Sequence, residues 1–258
     1  MAADKVAFIT GGTSGIGLGL AERFAAAGYA VGLNGLETNG AEIAAALGKR
    51  HGVPTWFAST NLADAPAIAP MMAAAEAALG RIDVLVNNAG VQFVSPIEDF
   101  PAAKWDLILA VNLSSAFHLC KAVWPGMKQR GFGRIINIAS AHGLRASEFK
   151  VAYIAAKHGL LGLTKTLALE GAGHNITVNA ICPGYVKAPL VEHQIADQAK
   201  AHGLSPDEVV ANVLLKKQAV KEFVSIDSLA SLALLLAAEE SRLFTGAEIP
   251  LDGGWTAQ

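Results

Sequence analysis

At 258 residues, with 20 lysines and arginines against 22 aspartates and glutamates, the chain has a formal net charge of -2 and no global basic field to draw nucleic acid or anionic lipid. It is long enough to bury a substantial core, and two cysteines are too few for a disulfide framework. Hydrophobic residues make up 52% and mean hydropathy is +0.38, yet charge-free runs such as 6–21 and 171–186 are broken by Gly, Ser, Thr, Asn or Pro short of the ~20 apolar residues a membrane span needs.

The predicted elements begin at Val6. Before it the sequence lacks the basic, apolar and small-residue stages of a secretory signal, so residence in the cytoplasm is expected. Short β-branched runs at Val6–Thr10, Ala30–Asn34, Thr55–Ala58, Val84–Asn87, 134–139, 177–181 and Glu248–Leu251 read as strands. Between them 16–27, 37–50, 65–79, 105–130, 151–170 and 227–238 have helical composition and length. This alternation implies right-handed βαβ crossovers covering both faces of a seven-stranded parallel sheet, hence one doubly wound α/β domain over residues 1–258. Gly28, Gly48 and Gly80 stand where a helix C-terminus favours a left-handed residue. The stretch 186–224 is richer in charge, with an amphipathic pattern over 205–217. Its place between the sixth and seventh strands predicts a helical lid over the carboxyl ends of the strands, where open α/β sheets bind ligands. Cys120 and Cys182 read as core thiols, and the seven histidines are scattered, so no metal is assigned.

Chemistry enters with the turn after the first strand, Thr10-Gly11-Gly12-Thr13-Ser14-Gly15-Ile16-Gly17. Its glycines permit a tight turn and bring backbone N–H groups close to a pyrophosphate seated on the following helix N-terminus. Tyr153 and Lys157 lie one helical turn apart and share a face. Ser140 ends a strand thirteen residues before Tyr153, so phenol, ammonium and hydroxyl can meet in one cleft.

Together with Asn87-Asn88-Ala89-Gly90, with Asn112, with Cys182-Pro183-Gly184 and with Asp252-Gly253-Gly254, these motifs resemble the short-chain dehydrogenase/reductase family in kind and order over nearly the whole chain. The resemblance implies a single-domain Rossmann fold and a catalytic tetrad of Asn112, Ser140, Tyr153 and Lys157. A phenol with a reference pKa of ~10 is a poor base, and a cation one turn away favours its phenolate. Tyr153 is then expected to take the alcohol proton, Ser140 to hydrogen-bond the reacting oxygen, Lys157 to hold the nicotinamide ribose, and Asn112 to order a relay water. The family pattern places dinucleotide contacts on Gly11, Thr13, Ser14, Gly15, Ile16, Gly17, Leu36, Asn61, Leu62, Asn88, Ala89, Gly90, Tyr153, Lys157, Pro183, Gly184 and Val186. Asn34-Gly35-Leu36 after the second strand offers no base to a 2′-phosphate, which favours NAD.

Polar residues around the tetrad narrow the substrate. Gln92, His142, Lys150 and Gln194 look like an anion clamp, with Tyr185 and Trp255 limiting the acyl end. As a set they resemble the bacterial D-3-hydroxybutyrate dehydrogenase subfamily, which implies NAD-dependent interconversion of (R)-3-hydroxybutyrate and acetoacetate. Ala188 departs from the threonine usual there, Asn61 from an aspartate and Tyr185 from a tryptophan. Two alternatives stay open: another ketone or 3-oxoacyl substrate, and a non-catalytic dinucleotide-binding protein. The family also implies a homotetramer, with 105–130 and 151–170 burying their outer faces against other copies.

Overall fold

A computed structural model describes residues 5–187, 195 and 205–257. Seven parallel strands are present: β1 (Val6–Thr10), β2 (Ala30–Asn34), β3 (Thr55–Ala58), β4 (Val84–Asn87), β5 (Gly133–Ile138), β6 (Ile176–Pro183) and β7 (Glu248–Leu251). They lie in the order β3-β2-β1-β4-β5-β6-β7, so the chain leaves the centre at β1, returns to it at β4 and opens a crevice above the two. Every residue of β1, β2, β4, β5 and β6 is buried, as expected for strands covered on both faces.

Helices α1 (Gly15–Ala26), α2 (Gly40–His51) and α8 (Ile226–Ala237) cover one face, burying Leu20, Phe24, Leu47, Leu229 and Leu236 against Ile9, Leu33, Val86 and Ile136. On the other, α3 (Ala65–Leu79) and α5 (Ser115–Arg130) pack Ile68, Met72, Leu119 and Val123 onto Phe8, Leu85, Ile135 and Val178. Helix α6 (Val151–Gly171) completes that layer, contacting β6 and the Ala110–Ser114 turn before α5. Burial pushes the Cys120 and Cys182 thiols up to about 12, which makes them inert core groups.

Three boundaries differ from the sequence reading. The second helix starts at Gly40, because Glu37 is held by hydroxyls of the glycine turn. It ends at His51, where Gly52 (φ 69°) supplies the left-handed cap expected of Gly48. The long helix 105–130 is two pieces, α4 (Ala102–Leu109) and α5, joined by a π-helical turn over Ala110–Ser114. Ala102–Arg130 is, by length and composition, the one stretch among the described residues able to cross a membrane, but Asn112 lies in its middle and it packs within the domain. Of the 186–224 excursion, the structure describes a short helix α7 (Pro206–Val209), continued by a π turn to Leu214, and a return pairing of Val224 with Val186.

At the amino-terminal edge the fully buried Asp83 carboxylate accepts the Val6 N–H at 2.9 Å and the Arg81 Nε–H at 2.8 Å, with Arg130 Nε 3.8 Å away. It ties β1 to β4 and to the end of α5. Removing it strands buried donors and a guanidinium. Asp83→Ala is expected to cost about 3 kcal/mol or more, seen as a lower urea midpoint with an unchanged slope. An unchanged midpoint would show that this carboxylate contributes nothing.

Candidate active site

The turn between β1 and α1 is shaped by glycines with no room for a side chain. A Cβ on Gly17 would lie 1.9 Å from the Gly11 carbonyl oxygen, so α1 starts directly against the turn. Gly11 itself takes φ 58°, a left-handed conformation suited to glycine. Ser14 is the N-cap of α1, yet its hydroxyl donates to Glu37 Oε1 at 2.8 Å and makes no cap bond. The first N–H groups of α1 are therefore left to a ligand. Thr13 also gives its hydroxyl to Glu37. Burial pushes the Glu37 carboxyl up, but these two hydroxyls together with the backbone N–H groups of Leu36 and Glu37 outweigh it and hold the group below the usual range.

The loop after β4 is fastened to this turn. Thr10 Oγ1 accepts the N–H groups of Asn88 and Ala89, each at 3.0 Å, and Asn88 Nδ2 donates to the carbonyls of Thr10 and Gly11. The Asn88 amide thus builds the turn, while the residue lines the cleft. Asn112 acts in the same way, its Oδ1 and Nδ2 bonding the N–H and C=O of Val91, both at 2.9 Å. Its side chain, expected to order a water, clamps the loop that carries Gln92.

On the other side of the cleft, Asn87 Nδ2 donates to Asn137 Oδ1 and Asn137 Nδ2 to Thr164 Oγ1, each at 2.8 Å, pinning α6 to β4 and β5. Tyr153 and Lys157 on α6 thereby meet Ser140 at the end of β5. Lys157 Nζ donates to the Ile138 carbonyl at 2.7 Å and lies 5.6 Å from the Tyr153 ring centroid; burial pushes its pKa down to about 8. Burial pushes the Tyr153 phenol up, the Ser140 hydroxyl bonded to it works the other way, and Tyr185 adds to the rise. Burial, and not the cation one turn away, sets the direction for the phenol in this arrangement.

Around this centre His142 is 5% exposed, its ring edge-on to Trp255 at 4.9 Å and 86°. Burial, then the charges of Lys150 and Lys217, push its pKa down to about 3. Tyr185 stacks on Trp255 with centroids 5.9 Å apart and planes at 3°. Lys150 Nζ sits 5.8 Å from the Tyr185 centroid, has no ion pair among the described residues, and is pushed down by burial. Gln92 Nε2 is buried with no hydrogen-bond partner among the described residues.

One cavity of about 640 Å³ runs along the carboxyl edge from Leu36 to Trp255. Every described site residue expected from the sequence lines it except Thr13 and Asn112, which stand behind the wall; Gln194 and Ala188 lie outside the described residues. The glycine turn, open helix N-terminus and exposed Leu36 shelf fit a dinucleotide. Glu37 also lines the cavity and escaped the sequence reading, which had placed it in the first turn of a helix. Among the described residues no three His, Cys, Asp or Glu side chains gather as a metal site.

Comparison with known proteins agrees with this geometry. The sequence profile of the short chain dehydrogenases matches residues 5–199. D-beta-hydroxybutyrate dehydrogenase of Rhizobium meliloti (strain 1021) is 52% identical over 257 residues, covering 98% of this chain and 99% of the relative. The enzyme of the same name from Cupriavidus necator is 46% identical over 254 residues, covering 98% of each. The crystal structure of levodione reductase superposes with a TM-score of 0.91 at 29% identity, covering 100% of this chain and 99% of that one.

With its pKa depressed from 6.5 to about 3, the His142 ring stays neutral from about pH 5 upward. The unfolded chain binds that proton first, so stability falls as pH drops from 6.5 through about 3. An imidazole NMR titration checks this, and a His142 midpoint near 6.5 would overturn it.

Proposed function

The chain belongs to the short chain dehydrogenase family and is an oxidoreductase closely related to D-beta-hydroxybutyrate dehydrogenases; from that premise we propose that it interconverts (R)-3-hydroxybutyrate and acetoacetate with NAD. The observation that carries the substrate is the pair of uncompensated donors on the wall beside Ser140 and Tyr153. A half-buried lysine with no counter-ion and a buried amide N–H with no acceptor among the described residues each cost free energy. A small carboxylate relieves both at once. The uncharged end of a 3-oxoacyl thioester would not. Gln92 and Lys150, with Gln194, then grip the acid; His142, whose two ring nitrogens face serine hydroxyls, lines the same wall, and the Tyr185–Trp255 stack bounds the acid's methyl end.

NAD, when bound, supplies the hydride acceptor at nicotinamide C4. Tyr153 takes the hydroxyl proton, Ser140 donates to the reacting oxygen, Lys157 holds the nicotinamide ribose, and Asn112 holds the Val91 loop. Glu37 supports NAD over NADP. Its carboxylate, fixed on Thr13 and Ser14, meets a 2′-phosphate with like charge. The Asn34 amide, spent on the carbonyls of Ala58 and Thr60, cannot answer it. Phe117 on α5 and Leu169 on α6, 47% and 82% exposed, support a homotetramer joined through these helices, and residence in the cytoplasm completes the reading.

Turnover is expected with the R acid and NAD and not with the S acid; silence with both in a chain that binds NADH would sink the substrate. Lys150→Ala should raise KM for the acid by about 100-fold, the worth of one charged hydrogen bond, while leaving KM for NAD in place. Equal losses on uncharged ketones would refute the clamp. Glu37→Gln should narrow the preference for NAD over NADP by about ten-fold. A ratio unmoved by that change would remove Glu37 from cofactor choice.

A further inference from the structure

Beyond the roles assigned above, a hydrogen-bonded chain leaves the cleft through His142. Ser140 Oγ accepts the backbone N–H of His142 at 3.1 Å, and the ring turns back so that Nδ1 lies 3.4 Å from the same oxygen. On the far side of the ring, Nε2 is 3.0 Å from Ser147 Oγ. The ring is packed edge-on between Trp255 at 4.9 Å and Tyr153 at 6.1 Å. Ser147 is half-buried, and its loop is tied at both ends: Arg145 Nη2 donates to the Thr256 carbonyl at 3.0 Å, and the Phe149 carbonyl accepts the Ser95 N–H at 3.0 Å.

A neutral imidazole has one N–H and one bare nitrogen, and here each nitrogen faces a hydroxyl. If Nε2 carries the proton, bare Nδ1 draws the Ser140 hydroxyl proton toward itself, away from the phenol. If Nδ1 carries it, Ser140 Oγ receives two N–H groups from His142, and its own proton is left for Tyr153 and the reacting oxygen. Only the second polarity serves the chemistry. We propose that Ser147 is a positioning residue: by donating to His142 Nε2 it holds the Nδ1–H tautomer, which aims the Ser140 hydroxyl at Tyr153. The inference rests on the reading of Ser140 and Tyr153 given above. Lys150 and Lys217 are the charged groups facing the ring, and both keep it neutral, so the choice lies between two uncharged tautomers.

The test has two independent arms. Imidazole ¹⁵N shifts of the substrate-free protein should show His142 protonated on Nδ1 and bare on Nε2, and Ser147→Ala should move it toward Nε2–H. In turnover, Ser147→Ala should lower kcat by about ten-fold, the worth of one hydrogen bond, with KM for the acid within about two-fold, and Ser147→Thr should restore kcat. A chain with three tyrosines also permits ultraviolet titration of Tyr153, identified by Tyr153→Phe, and its midpoint should rise in Ser147→Ala. A wild-type ring protonated on Nε2, or an unchanged kcat in Ser147→Ala, would overturn the proposal. The tautomer and tyrosine readings need no substrate. A chain silent on 3-hydroxybutyrate but showing the Nδ1–H ring would sink the substrate and leave Ser147 in its role.

Discussion

The site depends on a polar seam through an otherwise apolar interface. Asn87, Asn137 and Thr164, all buried, join β4, β5 and α6 through two bonds of 2.8 Å, and Thr164 closes the seam on the Leu160 carbonyl at 2.8 Å. Hydrophobic burial does not choose a register: Leu160 and Leu161 would pack on β6 almost as well with α6 slid along its axis. Directional bonds between groups that cannot reach water do choose, because slippage would leave them unpaired. Tyr153 lies eleven residues from Thr164, ~16 Å along the helix. A register fixed at Thr164 therefore fixes where the phenol and, one turn on, the ammonium stand against Ser140.

Charge is distributed along the crevice as sharply as shape. At the Tyr185 end Lys150 and Lys157 are cations whose burial lowers their proton affinity, and Gln92 adds a donor with no partner among the described residues. At the opposite end Glu37 is a carboxylate held charged by two hydroxyls and by backbone N–H groups. A ligand that places an acid near Tyr185 and neutral ribose hydroxyls near Leu36 matches both ends, and one with the charges exchanged matches neither. Because the cationic end is poorly solvated, its field is weakly screened, and it acts on a small anion more strongly than the same groups would on the surface.

Much of this was legible in the sequence, since strands buried on both faces are continuous apolar runs and the glycine turn must follow the first of them. The seven strands appear within one or two residues of their expected ends. What was not legible needs three dimensions. The π turn at Ala110–Ser114 keeps helical composition throughout, so nothing in the run marks it. Asn88 and Asn112 have the right type and place for ligand contacts, but their amides are spent on Thr10, Gly11 and Val91, a choice made by neighbours distant in sequence. Glu37 looks like a helix-starting acid until β1 and β2 bring Thr13 beside it. The spacing of Tyr153 and Lys157 announces attraction, while burial, which works against both charged forms, depends on the packing around them.

The stretch from Ser140 to Lys150 carries both the proposed proton chemistry and the proposed recognition of the acid. Within it lie the Ser140 hydroxyl, the imidazole whose Nδ1 faces that hydroxyl, the Ser147 partner of the imidazole and the cation beside the Tyr185 ring. Phe149 takes φ 65°, a left-handed conformation unfavourable for a side chain of its size, and its carbonyl is held by the Ser95 N–H. The bend sends the chain back into α6 with Lys150 inside the cleft instead of in solvent. The strain at Phe149 persists because contacts at both ends of the segment hold it. The cation proposed to hold the acid and the hydroxyl proposed to serve Tyr153 thus stand on one short piece of backbone fastened at both ends.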